Sequence, residues 1–433
     1  MKDTASKTVI PLEKPLKGTI RIPSDKSISH RAAIFGALTE GEVDIKNYSR
    51  GKDCKSTLNV LEQLGVRVDY RSENNIIIYN KDGFKEPKGC LYAGNSGTTM
   101  RLMSGILAGA NFSSVITGDE SLNKRPMGRI IKPLKQMGAN ISAECDDTKA
   151  PISIRGSKLN GIAYNSQIAS AQVKSCILLA GLDAEGITIV KEPFKSRDHT
   201  ERLLDYLGAN IDVEDTKVKI RKSKLCPKPL SVPGDISSAA FFIVAASIVP
   251  DSDIIIRDIG LNPTRTGIIE VMKLMGADIT ILDKRFECNE EIGDIRVRSS
   301  ELQGITIGKE LIPSIIDEIP VIAVAATQAK GTTIVKEAEE LRFKESDRIK
   351  ATCMQLKMMG ADIEEADDGF VISGKSQLRG NCVLESYQDH RIAMSAYVAA
   401  LASYKPVKIN DFQWVDISFP EFTDIFEELM RES

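Results

Sequence analysis

The chain has 433 residues, 42% hydrophobic and 27% charged, a globular mixture that excludes a wholly disordered or collagen-like protein and leaves room for two large domains or several small ones. Its 57 Lys and Arg against 60 Asp and Glu give a net charge of −3, so no general polyanion-binding surface and no nucleic-acid partner are expected. Aromatic residues make up 5%, too few for a base-stacking platform.

The opening, MKDTASKTVIPLEK, has no long apolar core behind its first Lys, so a cytoplasmic location without a secretory leader is expected. The most apolar run, AAFFIVAASIV from Ala239 to Val249, falls far short of the roughly 20 residues a membrane span needs. It reads as a buried helix, and no membrane partner is expected. The eight cysteines lie at least 29 residues apart with no CxxC pair, and His30, His199 and His390 are not at metal-ligand spacing. Scattered thiols suit a reducing compartment, and a dedicated zinc site is not expected.

Two kinds of helix alternate along the chain. The first kind is rich in small residues and apolar on most faces, as in enclosed helices: KSISHRAAIFGAL from Lys26, SGTTMRLMSGILAG from Ser96, ASAQVKSCILLAGL from Ala169, DISSAAFFIVAASI from Asp235, EIPVIAVAATQA from Glu318 and HRIAMSAYVAALAS from His390. The second kind is amphipathic and repeats one ending, in LEQLGV, PLKQMGA, LDYLGA, MKLMGA and LKMMGA. The glycines of these endings stand at 65, 138, 208, 276 and 360, steps of 73, 70, 68 and 84 residues, and IFEELM near the end is a degenerate sixth copy. A glycine there suits the left-handed position that stops a helix. Short strand-like runs such as Gly186–Val190, Ile254–Ile256 and Gly331–Val335 lie upstream of these helices. The pattern is six α/β units, three per half, with a hinge at Val232-Pro233-Gly234-Asp235.

Polar loops between strand and helix carry cations again and again: Arg50 and Lys52, Lys124 and Arg125, Arg197, Arg265, then Arg342, Lys344 and Arg348. Charged loops are usually solvated faces, but this periodic placement fits several anion-binding loops serving one multiply anionic substrate. Lys26 and Arg31, with Ser27 beside them, stand at a helix start that could take phosphate or carboxylate, or could simply be a capped helix. Gly94 to Arg101 (GNSGTTMR) is glycine-rich like a phosphate cradle but lacks the Lys of a P-loop, so an ATP site is not supported. Asp317, opening an apolar helix, is either a cap or, where apolar walls raise its basicity, a base able to take a proton from a substrate hydroxyl.

Together these segments resemble the 5-enolpyruvylshikimate-3-phosphate synthase family. SDKSISHRA, GNSGTTMRL, KRPMGRI, SAQVKS, SRDHTE, PGDISSAAFF, DEIPVIAVAA, LRFKESDRI, DHRIAMS and SFPEF occur in order from residue 24 to 422. Any one of them is a weak signal, but ten in order over a six-unit repeat are specific. The resemblance implies an α/β fold of two similar domains, each of three βαβαββ units, with the active site in the cleft between them. The domains would be residues 20–232, and 1–19 with 233–433. It implies transfer of the enolpyruvyl group of phosphoenolpyruvate to the 5-hydroxyl of shikimate 3-phosphate, on the route to chorismate and aromatic amino acids. No metal or organic cofactor is implied, and a monomer is expected.

Residue by residue, the resemblance places shikimate 3-phosphate on Lys26, Ser27, Arg31, Ser170, Ala171, Gln172, Arg197, Asp317 and Lys344. Phosphoenolpyruvate falls to Lys26, Gly97, Thr98, Arg125, Gln172, Arg348 and Arg391. Asp317 corresponds to the base, Glu345 to the proton donor, and Lys26 to a further catalytic cation. Part of the family has Lys where this chain has Ile417, and Ser-Ser-Gln where it has Ser170-Ala171-Gln172. Two alternatives stand beside this reading. A UDP-N-acetylglucosamine enolpyruvyl transferase would typically have a Cys in the loop occupied here by Ser121-Leu122-Asn123-Lys124, and a non-catalytic anion-binding scaffold would not need Lys26, Asp317, Glu345 and Arg391 together.

Overall fold

In the computed structural model, residues 6–431 are described, so the start of the MKDTASK opening and the ends of the expected outer domain segments lie outside them. The second repeat shows the unit most simply. A short strand (Leu91–Tyr92) leads into a buried helix (Gly97–Ala108), then a strand (Ser113–Thr117), an amphipathic helix (Gly128–Gln136) and an antiparallel pair (Asn140–Ala143 and Lys149–Arg155). In its four-stranded sheet the two strands before and after the buried helix run parallel, and the final pair completes the order antiparallel. The amphipathic helix stops where the periodicity predicts. Gly65, Gly138, Gly208, Gly276 and Gly360 all have φ between 86° and 93°, a region that costs other residues about 1 kcal/mol or more.

Among the described residues, five sheets have four strands and a sixth has three. Two strands are exchanged. Lys17–Arg21 precedes the first buried helix yet pairs parallel with Asp253–Gly260 of the fourth repeat, whereas Leu230–Ser231 precedes the fourth buried helix yet pairs parallel with Glu42–Lys46 of the first. The exchange divides the chain into two compact units. The amino-half unit is Ser24–Val232 with Phe286–Glu290, and the carboxy-half unit holds the chain up to Pro23 with Pro233–Arg285 and Glu291–Ser433. The first crossing follows Pro23 rather than residue 19 because the Lys17–Arg21 strand is paired along its whole length.

Each unit has its own apolar core around three small-residue helices. In the amino-half unit the Gly97–Ala108 and Ala171–Gly181 helices pack so closely that a Cβ at Gly105 would stand 2.2 Å from the Cys176 carbonyl oxygen. Glycine at 105 therefore sets how near the starts of those helices, Thr98 and Gln172, can come. In the carboxy-half unit the Ile236–Ile248 helix is apolar all round and buried, as its composition predicts.

The sixth repeat departs from the pattern. After its strand Val407–Asn410 come a 3₁₀ turn (Phe412–Ile417) and a helix (Phe422–Arg431) in place of a strand pair, and Lys7–Val9 supplies the antiparallel neighbour. The reason lies in the aromatic residues. Phe426 stacks on Phe242 with ring centroids 4.3 Å apart, and Phe419 and Phe422 fill the same cluster. Such packing fixes this last helix without a glycine stop. Among the described residues, no helix is long and apolar enough to cross a membrane.

Candidate active site

In the carboxy-half unit, Arg348 opens the Arg348–Met358 helix and its guanidinium is buried. Asp389 accepts from its Nε at 2.8 Å and from Nη2 at 3.3 Å, Asp317 accepts from Nη1 at 3.1 Å, and Glu345 accepts from Nη2 at 2.6 Å. Burial works against the charge of Arg348, but Asp389, Glu345 and Asp317 outweigh it and hold the guanidinium above its ordinary value. The two carboxylates expected to handle protons therefore share one cation. Lys344 Nζ lies 3.8 Å from Asp317 Oδ1, and Arg391 donates to the Asp317 carbonyl at 3.1 Å.

The contacts seen at Asp317 are those of neither a helix cap nor an apolar pocket. The Ile319–Gln328 helix that follows has no side-chain cap, and the Asp317 carboxylate turns to Arg348 and Lys344. Cations, rather than apolar walls, face it.

In the amino-half unit, three residues of the motifs form one chain of contacts. Gln172 donates to Thr98 Oγ1 at 2.9 Å, and its amide oxygen accepts from Arg101. A Cβ at Gly97 would lie 2.9 Å from Arg101 Nη1 and 3.6 Å from Arg125 Nη1, so two guanidinium groups flank a residue without a side chain. Arg125 is aimed by Asn95, which accepts from its Nη2 at 2.6 Å. Ser96 caps this helix by accepting from Thr99 N at 3.1 Å. The arrangement offers backbone N–H groups and cations to one anion.

Lys26 stands in the first turn of its helix, with Nζ 3.2 Å from Asp53 Oδ2. Arg31, one turn on, is buried, and that burial pulls it down to about 10, still charged at neutral pH. It donates to the Ser27 carbonyl at 2.9 Å, to Thr200 Oγ1 at 2.7 Å and to Ser175 Oγ at 3.0 Å. Ser170 caps the Ala171–Gly181 helix, and Arg197 is half-buried just before the His199–Tyr206 helix.

The family model for EPSP synthase (3-phosphoshikimate 1-carboxyvinyltransferase) matches residues 11–426. The chain belongs to the EPSP synthase family. It is 53% identical over 426 residues to the 3-phosphoshikimate 1-carboxyvinyltransferase of Petrotoga mobilis, covering 97% of this chain and 98% of that one. It is 50% identical to that of Bacillus cytotoxicus, covering 95% and 97%. An EPSP synthase structure from Acinetobacter baumannii superposes with a TM-score of 0.89 at 43% identity, covering 98% of each chain.

Not every loop cation belongs with this EPSP synthase set. Arg265 is buried against Asp235 and Ser237, whose hydroxyl donates to Glu318, so it ties the Ile236–Ile248 helix to the segment bearing Asp317. Arg342 spends its donors on Asp347, Glu365 and the Ala366 and Asp367 carbonyls. Arg50 and Lys124 pair at the surface with Glu73 and Glu120. The periodic cations thus divide between framework and site. Sequence reasoning missed Arg101, Asp389 and the buried acids behind the Ser170 loop. Arg101 and Asp389 stood inside quoted motifs, but their reach across helices had no sequence signal.

Proposed function

We infer that this enzyme transfers the enolpyruvyl group of phosphoenolpyruvate to the 5-hydroxyl of shikimate 3-phosphate, releasing phosphate. The observation that carries the reading is the convergence of Asp317, Glu345 and Asp389 on the buried Arg348, beside Lys344 and Arg391. The reaction needs one proton removed from oxygen and one delivered to carbon, and two carboxylates at one cation suit those tasks.

In this reading Asp317 takes the proton of the 5-hydroxyl as its oxygen bonds to carbon 2 of phosphoenolpyruvate. Glu345 gives a proton to the methylene carbon, and the product of addition is a tetrahedral intermediate. Elimination then removes a proton from the new methyl group and expels phosphate, restoring the double bond and forming the enol ether. Arg125, Arg348 and Arg391, with the Gly97 and Thr98 backbone, hold phosphoenolpyruvate. Ser27, Arg31, Ser170, Ala171, Gln172, Arg197 and Lys344 hold shikimate 3-phosphate. Lys26 and Gln172 touch both substrates. Fixed cations serve the reaction by preorganised electrostatics, with no covalent enzyme intermediate.

The test is phosphate release from phosphoenolpyruvate with each of two acceptors. Release is expected with shikimate 3-phosphate and not with UDP-N-acetylglucosamine. The opposite preference, or no release with either, overturns the assignment.

A further inference from the structure

Behind the Ser170 loop lies a buried ionic group that the reaction does not use. Lys174 Nζ is 2.8 Å from Glu192 Oε2 and 2.7 Å from Glu201 Oε1, and all three side chains are at most 4% exposed. Taking three charges out of water is costly, and a buried ion pair is weak evidence for stability by itself. The two acids do different things with their remaining oxygens. Glu201 binds Lys174 through Oε1, accepts from its own backbone N–H, and its charge supports that of Arg31. Glu192 reaches two loops at once. Its Oε1 accepts from Ser170 N at 2.9 Å and from Ser196 Oγ at 2.7 Å, and its Oε2 accepts from Ser196 Oγ at 2.8 Å and Ser196 N at 3.4 Å.

Those loops are the ones that present Ser170, Ala171 and Gln172 on one side and Arg197 on the other. We propose that Glu192, its charge balanced by Lys174, is the positioning residue that sets the spacing of these two loops for shikimate 3-phosphate. Glu192 touches no reacting atom. It acts through Ser170 N and Ser196, one residue from Arg197, and the strong hydrogen bonds of a carboxylate suit a fixed spacing. A phosphorylated hydroxy acid gripped from two loops needs that spacing held before it arrives, since ordering the loops at binding would weaken affinity.

The inference rests on the proposed acceptor, so the wild-type enzyme is titrated first with shikimate 3-phosphate alone in a calorimeter. If the wild type does not bind it, the functional reading fails and the positioning inference fails with it. Glu192→Gln and Glu201→Gln each remove one negative charge from the same group, but Glu201 also supports the charge of Arg31, so the two are compared on loop ordering. Glu192→Gln should weaken shikimate 3-phosphate binding about tenfold and raise its KM similarly with kcat changed less than threefold. Amide exchange at Ser170 and Ser196 should quicken only in Glu192→Gln. Equal quickening of amide exchange in both variants, or wild-type binding in Glu192→Gln, overturns the proposal, because a merely structural ion cluster predicts that equality. If Glu192→Gln does not fold, Ser196→Ala removes one tether without touching a charge and should weaken binding at least threefold. Unchanged binding there overturns the proposal as well.

Discussion

Arg348 and Asp389 meet through two contacts between a buried guanidinium and a buried carboxylate, Nε to Oδ2 at 2.8 Å and Nη2 to Oδ1 at 3.3 Å. Asp389 also caps the His390–Leu401 helix by accepting from Arg391 N at 2.9 Å, so one carboxylate binds the Arg348 guanidinium and fixes the helix start that bears Arg391, two of the cations assigned to phosphoenolpyruvate. Burial alone would raise the Asp389 carboxyl, but Arg348 overcomes it and holds the group below the usual carboxylate range. Asp389→Asn keeps the cap and removes the charge. Breaking a buried pair should cost about 3 kcal/mol or more, read by denaturant unfolding. The KM for phosphoenolpyruvate should rise at least tenfold. Loss of stability with an unchanged KM would reduce Asp389 to a framework residue.

Asp317→Asn removes the candidate base and leaves Arg348 its bonds to Asp389 and Glu345. Both substrates should still bind while turnover falls by roughly 10² or more, the usual scale for loss of a general base. Single-turnover kinetics with calorimetric binding checks this. Near-normal turnover would end the assignment.

Lys26→Met keeps an apolar stem of similar length at the start of the Lys26–Ala37 helix. A hydrogen bond to a charged group contributes about 1.5–3 kcal/mol, so substrate affinity and rate should each fall roughly 10- to 100-fold. Circular dichroism should show an unchanged fold. Wild-type kinetics would return Lys26 to a surface cation paired with Asp53.

The repeat was legible because its cause is local. A glycine must stand where the helix turns left-handed, and five of six copies show it. The exchanged strands Lys17–Arg21 and Leu230–Ser231 were not legible, since each pairs some 200 residues away and the local pattern of a strand is blind to its partner. At the site, the motifs named Asp317, Glu345 and Arg348 individually, but nothing in their spacing told that Arg348 would be buried with three acids on it. Likewise Arg265 and Arg197 occupy equivalent loops in sequence, and only tertiary contacts make Arg265 a framework residue.

His30 gives a pH dependence with a definite sign. It is buried among the Lys26–Ala37, Lys52–Gln63 and Gly97–Ala108 helices, with Nδ1 2.6 Å from Thr57 Oγ1, which shares a 2.7 Å hydrogen bond with Thr99. Burial lowers it to about 3, against the pull of Asp53 and with help from Lys26 and Arg31. A histidine whose folded value lies below its unfolded value of 6.5 folds neutral. Its contribution is therefore complete above pH 6.5 and drains away as pH falls toward 3, because the unfolded chain takes up the proton first. Between pH 7 and pH 5 that amounts to about 2 kcal/mol. His30→Asn, which retains a polar group toward Thr57 and cannot be protonated, should lose about 2 kcal/mol less than the wild type over that interval. Urea unfolding of both proteins at the two pH values measures the difference directly. Parallel losses would mean that His30 is solvated or protonated in the folded enzyme, and the Thr57–Thr99 chain would then have to be held by another partner.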